Sequence, residues 1–266
     1  MIEYMMRTLP IDTIVNGGDL FNDGSYHNFV NDISKKLNTK RIYSTYGNHE
    51  FINYNTYNVV AYYNTISNGM VYGDAEKRWG YADDVDKKIR FINLCSFGER
   101  MQETGSYTNP LLLDEQYNWF VNEALNVPEG FKAIVYTHSL YCGDDQTKVL
   151  TKHSGADRYI NAIDENKDNM ICVLIGHTHW DKIHIGTTGV PYVISQSDRR
   201  VPIGTEGVWS DINVDRTIGT TNEQHFEVVV IDKTNRTIRF FAIGSQSRGG
   251  YDDEIGELCD YRDLNY

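Results

Sequence analysis

Residues Ile171 to Trp180 read Ile-Cys-Val-Leu-Ile-Gly-His-Thr-His-Trp, an apolar run that stops at a glycine and then presents two imidazoles separated by one residue. An unbroken apolar run of this length fits a strand covered on both faces, and the glycine lets the backbone turn sharply where the strand ends. Strands covered on both faces belong to α/β architectures, in which functional groups collect at the carboxyl ends of the strands. Two histidines at this spacing can equally be ordinary loop residues, so the segment gains weight only if other strand ends carry comparable chemistry.

Three other stretches do. Ile11 to Val15 runs into Asn16-Gly17-Gly18-Asp19-Leu20-Phe21-Asn22-Asp23-Gly24, Arg41 to Tyr46 runs into Gly47-Asn48-His49-Glu50, and Ala133 to Tyr136 runs into Thr137-His138-Ser139. The strand ends therefore offer Asp19, then Asn48 with His49, then His138, then His177 with His179. Carboxylate, amide oxygen and imidazole together suit hard-to-borderline divalent ions such as Mn, Fe, Zn or Mg, and no thiolate biases the set toward softer metals.

The rest of the chain supplies a scaffold for these ends. Met1 to Leu9 has apolar residues at the spacing of one helical face and is stopped by Pro10. Helical spacing recurs over Phe29 to Leu37, Leu113 to Leu125 and Asp157 to Glu165, while Ile89 to Cys95 and Val190 to Ser195 read as strands. Phe226 to Ile231 and Thr237 to Ile243 read as a hairpin joined by Asp232 to Arg236. Phe51 to Tyr81 is rich in Tyr and Asn and reads as an insertion beside a site loop that can set specificity. Gly204 to Thr221, and everything from Gln246 onward, carry no strong pattern. No repeat, low-complexity tract or linker divides the 266 residues, so a single domain over 1–266 is expected.

Charge and cysteine usage narrow the partners. With 37 acidic against 25 basic side chains and a net charge of -12, no broad electrostatic footprint on nucleic acid or on an anionic membrane is expected, although a local metal site can still take one small phosphoester. No stretch approaches the roughly 20 apolar residues that span a bilayer, and the first residues lack a signal-peptide pattern. Cys95, Cys142, Cys172 and Cys259 are widely spaced, which fits reduced thiols and a cytoplasmic location.

With Gly18-Asp19, Gly47-Asn48-His49-Glu50, His138 after a strand and Gly176-His177-Thr178-His179 in that order, the sequence resembles the calcineurin-like metallophosphoesterases over most of its length. The resemblance implies an α/β fold of two mixed β-sheets packed as a sandwich and flanked by helices (α-β-β-α), with the site where strand ends meet. It also implies divalent-metal-dependent hydrolysis of a phosphomonoester or phosphodiester by a metal-activated water. On that pattern Asp19 bridges two ions, Asn48, His138 and His177 complete the second ion's ligands, and His179 belongs to the first. His49 is then the group that stabilises charge and protonates the leaving oxygen.

Two departures qualify the resemblance. The family's opening Asp-x-His motif, which ligates the first ion, occurs nowhere in the chain. An intact second-ion set and a defective first one are therefore expected, with one ion bound here where the complete site holds two. The chain is expected to be a fragment lacking its first strand, or else to have lost the motif naturally. That leaves two functional readings, a phosphoesterase and a non-catalytic or impaired single-metal remnant of the fold, and it exposes a sheet edge through which the chain can self-associate. The second departure is Asn22, which stands where phosphoprotein phosphatases keep an Asp paired with the catalytic His. Their following Arg is absent too, and the Gly-His-Thr-His ending looks more like phosphodiesterase and nuclease-like branches. Asp23 is the neighbour that can substitute, Glu50 sits beside the ligands, and Arg199 (with Arg200) follows a strand and can meet a substrate phosphate or remain a solvated pair. His27, His153, His184 and His225 fit no ligand spacing and are expected to be surface or hydrogen-bonded structural histidines.

Overall fold

A computed structural model describes residues 9–19, 41–52, 69–74, 78–97, 112–144, 149–178, 182–195, 225–244 and 261–266. All but Leu9 of the helix expected over Met1 to Leu9, the helix expected over 29–37, most of the stretch from Phe51 to Tyr81, and residues 204–221 lie outside these. In chain order the elements are β1 (Thr13–Asn16), β2 (Arg41–Ser44), α1 (Asn48–Ile52), β3 (Val71–Tyr72), β4 (Gly80–Asp84), β5 (Ile89–Leu94), α2 (Asp114–Trp119) and β6 (Lys132–Thr137). They continue with β7 (Tyr141–Asp144), β8 (Val149–Lys152), α3 (Ala156–Glu165), β9 (Met170–Ile175), β10 (Lys182–Ile185), β11 (Pro191–Ile194), β12 (His225–Asp232), β13 (Thr237–Gly244) and β14 (Tyr261–Asn265).

Seven strands form the main sheet in the order β10-β11-β9-β6-β5-β4-β3. Its centre, β11-β9-β6-β5, is parallel, and antiparallel strands flank it on both sides. The apolar runs in β6 and β9, and the mostly apolar β5, are explained by what covers them. One face carries Ile92, Leu94, Val135, Val173 and Ile175 against Phe120, Tyr159 and Ile163 on the helical side. The other carries Phe91, Ile134, Tyr136 and Cys172 against Tyr43 of β2 and Ile238 and Phe240 of β13. A residue on either face is buried, so a polar side chain there needs a partner: Arg90 bonds Asp83 and the Ala124 carbonyl, and the Asn93 amide donates to Arg78 O.

The second layer consists of the parallel pair β1-β2 and the antiparallel sheet β12-β13-β14. Tyr43 packs on Phe91 across the two layers with the rings tilted and their centroids 4.9 Å apart. Two sheets face to face with helices α2 and α3 on the outside is the expected sandwich. The helix expected over Leu113 to Leu125 is present, but beyond Trp119 it widens into a π-helical segment, Phe120–Ala124. Cys95 and Cys172 are free and buried, as reduced core thiols should be. No helix among the described residues is long and apolar enough to cross a membrane.

Several strands have no apolar signature. In β4, Asp83 and Asp84 occupy positions that a sequence pattern reads as solvated, yet Asp83 forms a bidentate pair with Arg90 (2.7 and 2.8 Å) and the fully buried Asp84 pairs with Arg41. Ion pairing, rather than apolarity, lets the chain lie in the sheet there. Tyr261–Asn265, within the patternless C-terminal stretch, joins the second layer as β14, with Asp263 paired to Arg239 on β13 at 3.0 Å.

Candidate metal centre

The parallel strands β1, β2, β6 and β9 hand over at their carboxyl ends to Gly17 to Asp19, Thr45 to Asn48, His138 and Gly176 to His177. Hydrogen bonds lock these exits together. Thr45 N–H donates to Asn16 O (3.2 Å), Gly176 N–H to His138 O (3.1 Å), and His138 Nδ1–H to Gly17 O (2.6 Å). Loops this close leave no room for side chains at their contact points. A Cβ on Gly18 would lie 2.6 Å from His138 Nδ1, and one on Gly47 would run into the Asp19 carboxylate.

Asp19 and His177 both hold positive φ, at 60° and 67°, in the left-handed region that non-glycine residues rarely adopt. The polar network around Asp19 holds it there. Glu50 Oε2 accepts the Asp19 N–H at 2.9 Å and the Gly47 N–H at 2.5 Å, and Asp19 Oδ1 accepts the His49 N–H at 3.0 Å. Glu50 is wholly buried, and desolvation followed by the Asp19 charge pushes its carboxyl up to about 7. Burial also pushes Asp19 up, but the charge and hydrogen bond of His138, with His49 behind them, outweigh it and hold that carboxyl well below the usual range.

Four candidate ligand atoms converge. His138 Nε2 lies 3.2 Å from Asn48 Oδ1 and from His177 Nδ1, and 3.3 Å from Asp19 Oδ2, while His177 Nδ1 is 3.2 Å from Asn48 Oδ1. Ligand atoms of Asp19, His138 and His177 all fall within 4.8 Å of one another. Because His138 spends its Nδ1 proton on Gly17 O, neutral His138 turns a lone pair at Nε2 toward an amide oxygen and a carboxylate. Too many acceptors face one point for the protons available, and the site responds by drawing one in. Burial lowers the His138 pKa, but the Asp19 carboxylate outweighs it and raises it above the ordinary imidazole value. A divalent cation suits this donor set better than a proton does, and an imidazole whose other nitrogen donates to a backbone carbonyl is the usual form of a histidine ligand.

Of the residues singled out by sequence, the fold thus brings together Asp19, Asn48, His138 and His177, with Glu50 supporting them. His49 stands at the rim, about a quarter exposed, its Nε2 3.9 Å from Asp19 Oδ2. His179, Asn22, Asp23, Arg199 and His27 lie outside the described residues. Of the remaining histidines, His184 on β10 packs against Tyr141 and Tyr192. Sequence reasoning missed Phe97, fully buried two residues past the β5 run, whose ring backs His138 and His177 at centroid distances of 5.4 and 5.3 Å. Its position directly after an apolar strand gave a core signal and no functional one.

Residues 2–181 match the family described as calcineurin-like phosphoesterases. The chain belongs to that family. The four converging candidate ligands of this calcineurin-like phosphoesterase all fall inside the matched span. Among solved structures it is similar to a dimetal phosphatase from Danio rerio, with a TM-score of 0.59 at 11% identity, covering 99% of this chain and 86% of that one. At that identity the likeness concerns the fold. No curated protein matches the sequence.

Proposed function

We propose that this calcineurin-like phosphoesterase hydrolyses a small phosphomonoester or phosphodiester with a divalent ion held by Asp19, Asn48, His138 and His177. The observation that carries the reading is the convergence of the Asn48, His138 and His177 ligand atoms at 3.2 Å with the Asp19 carboxylate beside them. A bound divalent ion supplies Lewis acidity toward a phosphoryl oxygen and acidifies a water. The chain's own groups do the rest. Glu50 and the His49 backbone fix the Asp19 carboxylate, Phe97 excludes water from behind the imidazoles, and the partly exposed His49 ring stands where it can give a proton to a departing oxygen. His179, one residue beyond Thr178, is the proposed link to a further ion, and Mn, Fe, Zn and Mg all suit the oxygen and nitrogen donors.

The test is turnover of p-nitrophenyl phosphate and of bis(p-nitrophenyl) phosphate by metal-free protein to which each divalent ion is restored. Hydrolysis of either ester that appears with the ion and falls at least about 100-fold in Asn48→Ala supports the reading. An ion that binds while neither ester turns over would favour a metal-binding remnant of the fold, a reading that the single point of convergence among the described residues also permits.

A further inference from the structure

His153 fits no ligand spacing, yet it is buried beside the metal centre, with 8% of the residue's surface exposed and its ring centred 6.1 Å from that of His177. It follows β8, the strand that brings the chain back from the β7-β8 hairpin toward the loop carrying His138. Two bonds tie it to that loop. The His153 N–H donates to Leu140 O at 3.0 Å, and the ring Nε2 lies 2.8 Å from Ser139 Oγ. Ser139 has one hydroxyl proton, directed to Tyr141 O at 3.2 Å, so it accepts from His153 Nε2–H. Ser139 N–H in turn donates to Ser96 Oγ at 2.9 Å, one residue before the Phe97 ring that backs both imidazoles. The residue next to a ligand is thereby held from both sides, by β5 through Ser96 and by the β7-β8 hairpin through His153.

We propose that His153 is a positioning residue for metal binding: its Nε2–H···Oγ bond to Ser139 fixes the loop that sets His138 Nε2 at 3.2 Å from His177 Nδ1 and Asn48 Oδ1. The inference rests on the reading of this cluster as a metal centre. A histidine that merely filled space would be replaceable by any side chain of similar volume, whereas one that positions the loop needs a donor at the place of Nε2. His153→Leu retains bulk without a donor, and His153→Gln puts an amide N–H near the same place.

The experiment is calorimetric titration of metal-free wild type, His153→Leu and His153→Gln with Mn2+ alone. Loss of a group that orients a ligand typically weakens metal binding about 10- to 100-fold, so that loss is expected in the Leu variant, with the Gln variant staying within about threefold of wild type. Equal affinities in all three proteins, or equal weakening in Leu and Gln, would overturn the role of the hydrogen bond. Wild type that takes up no Mn2+ would sink the metal-centre reading together with this inference, so the two failures are distinguishable.

Discussion

Val135 and His138 stand three residues apart on one strand and its exit, and both are buried, but the environments that bury them differ in kind. Val135 lies between Ile92 and Val173 in the main sheet and belongs to its apolar core, where each neighbour contributes a little through area removed from water. Around His138 each polar atom has a specific partner: Gly17 O at Nδ1, and Asn48, His177 and Asp19 at Nε2. Burial in the sheet is a matter of volume, and burial in the loops a matter of geometry. Damage to the sheet should therefore appear as lost stability with the site intact, and damage to the loops as lost metal binding in a protein that still folds.

The largest effect tests the sheet side. Phe120→Ala removes a fully buried ring that packs on Tyr159 and should cost about 3–5 kcal/mol in denaturant unfolding, with Mn2+ affinity of the folded fraction unchanged. On the loop side, His138→Ala should weaken Mn2+ binding by more than about 100-fold, about 2.7 kcal/mol, while moving the metal-free unfolding midpoint far less than Phe120→Ala does. The reverse ordering of these two variants would break the comparison. Gly47→Ala sits between them, since its Cβ would press on the Asp19 carboxylate and lie 2.6 Å from the Asp19 nitrogen. It should lower both properties, with about 1–3 kcal/mol of strain in the metal-free protein.

A smaller effect separates the two carboxylates of the site by pH. Glu50 is raised from 4.5 to about 7 in the folded protein, so between those values the unfolded chain releases a proton that the folded one keeps. Metal-free stability should therefore fall across this window as pH rises, and Glu50→Gln should flatten that part of the profile. Asp19, held below its ordinary value of 3.8, acts in the opposite sense: its contribution is present above that value and is lost as pH falls through the folded one. Thermal midpoints in chelator from pH 4 to 8 check Glu50, and an extension of the series below pH 4 checks Asp19; identical slopes in wild type and Glu50→Gln between pH 4.5 and about 7 would contradict the buried position of Glu50. The smallest effect belongs to β12, where Val230 is 47% exposed. Val230→Thr should shift stability by no more than about 0.5 kcal/mol. Should the chain self-associate through this strand, the same variant would raise its dissociation constant in size-exclusion runs over a concentration series.

The parts legible in the sequence are those where one physical requirement dominates. β6 and β9 are covered on both faces, so their runs are apolar throughout their cores, and the β12-β13 hairpin reads directly from its alternation and turn. Asp19, Asn48, His138 and His177 are legible because each follows a strand at the point where the chain must turn. What stayed hidden depends on pairs far apart in the chain. β4 lies in the sheet because Asp83 and Asp84 find Arg90 and Arg41, and β14 because its register on β13 sets Leu264 against Ile238 and Asp263 against Arg239. His153 sits 14 positions from Ser139, on the far side of a hairpin, and no local spacing announces that bond.

The central claim is that four side chains delivered by four strand ends hold one ion in common. Elemental analysis after Mn2+ loading, run in parallel on wild type, Asn48→Ala and Phe120→Ala, tests it most directly. The expected result is about one ion per chain at the described ligands in wild type and in whatever fraction of Phe120→Ala folds, with none retained by Asn48→Ala. Wild type without bound ion, or Asn48→Ala that retains its ion at full occupancy, would contradict it.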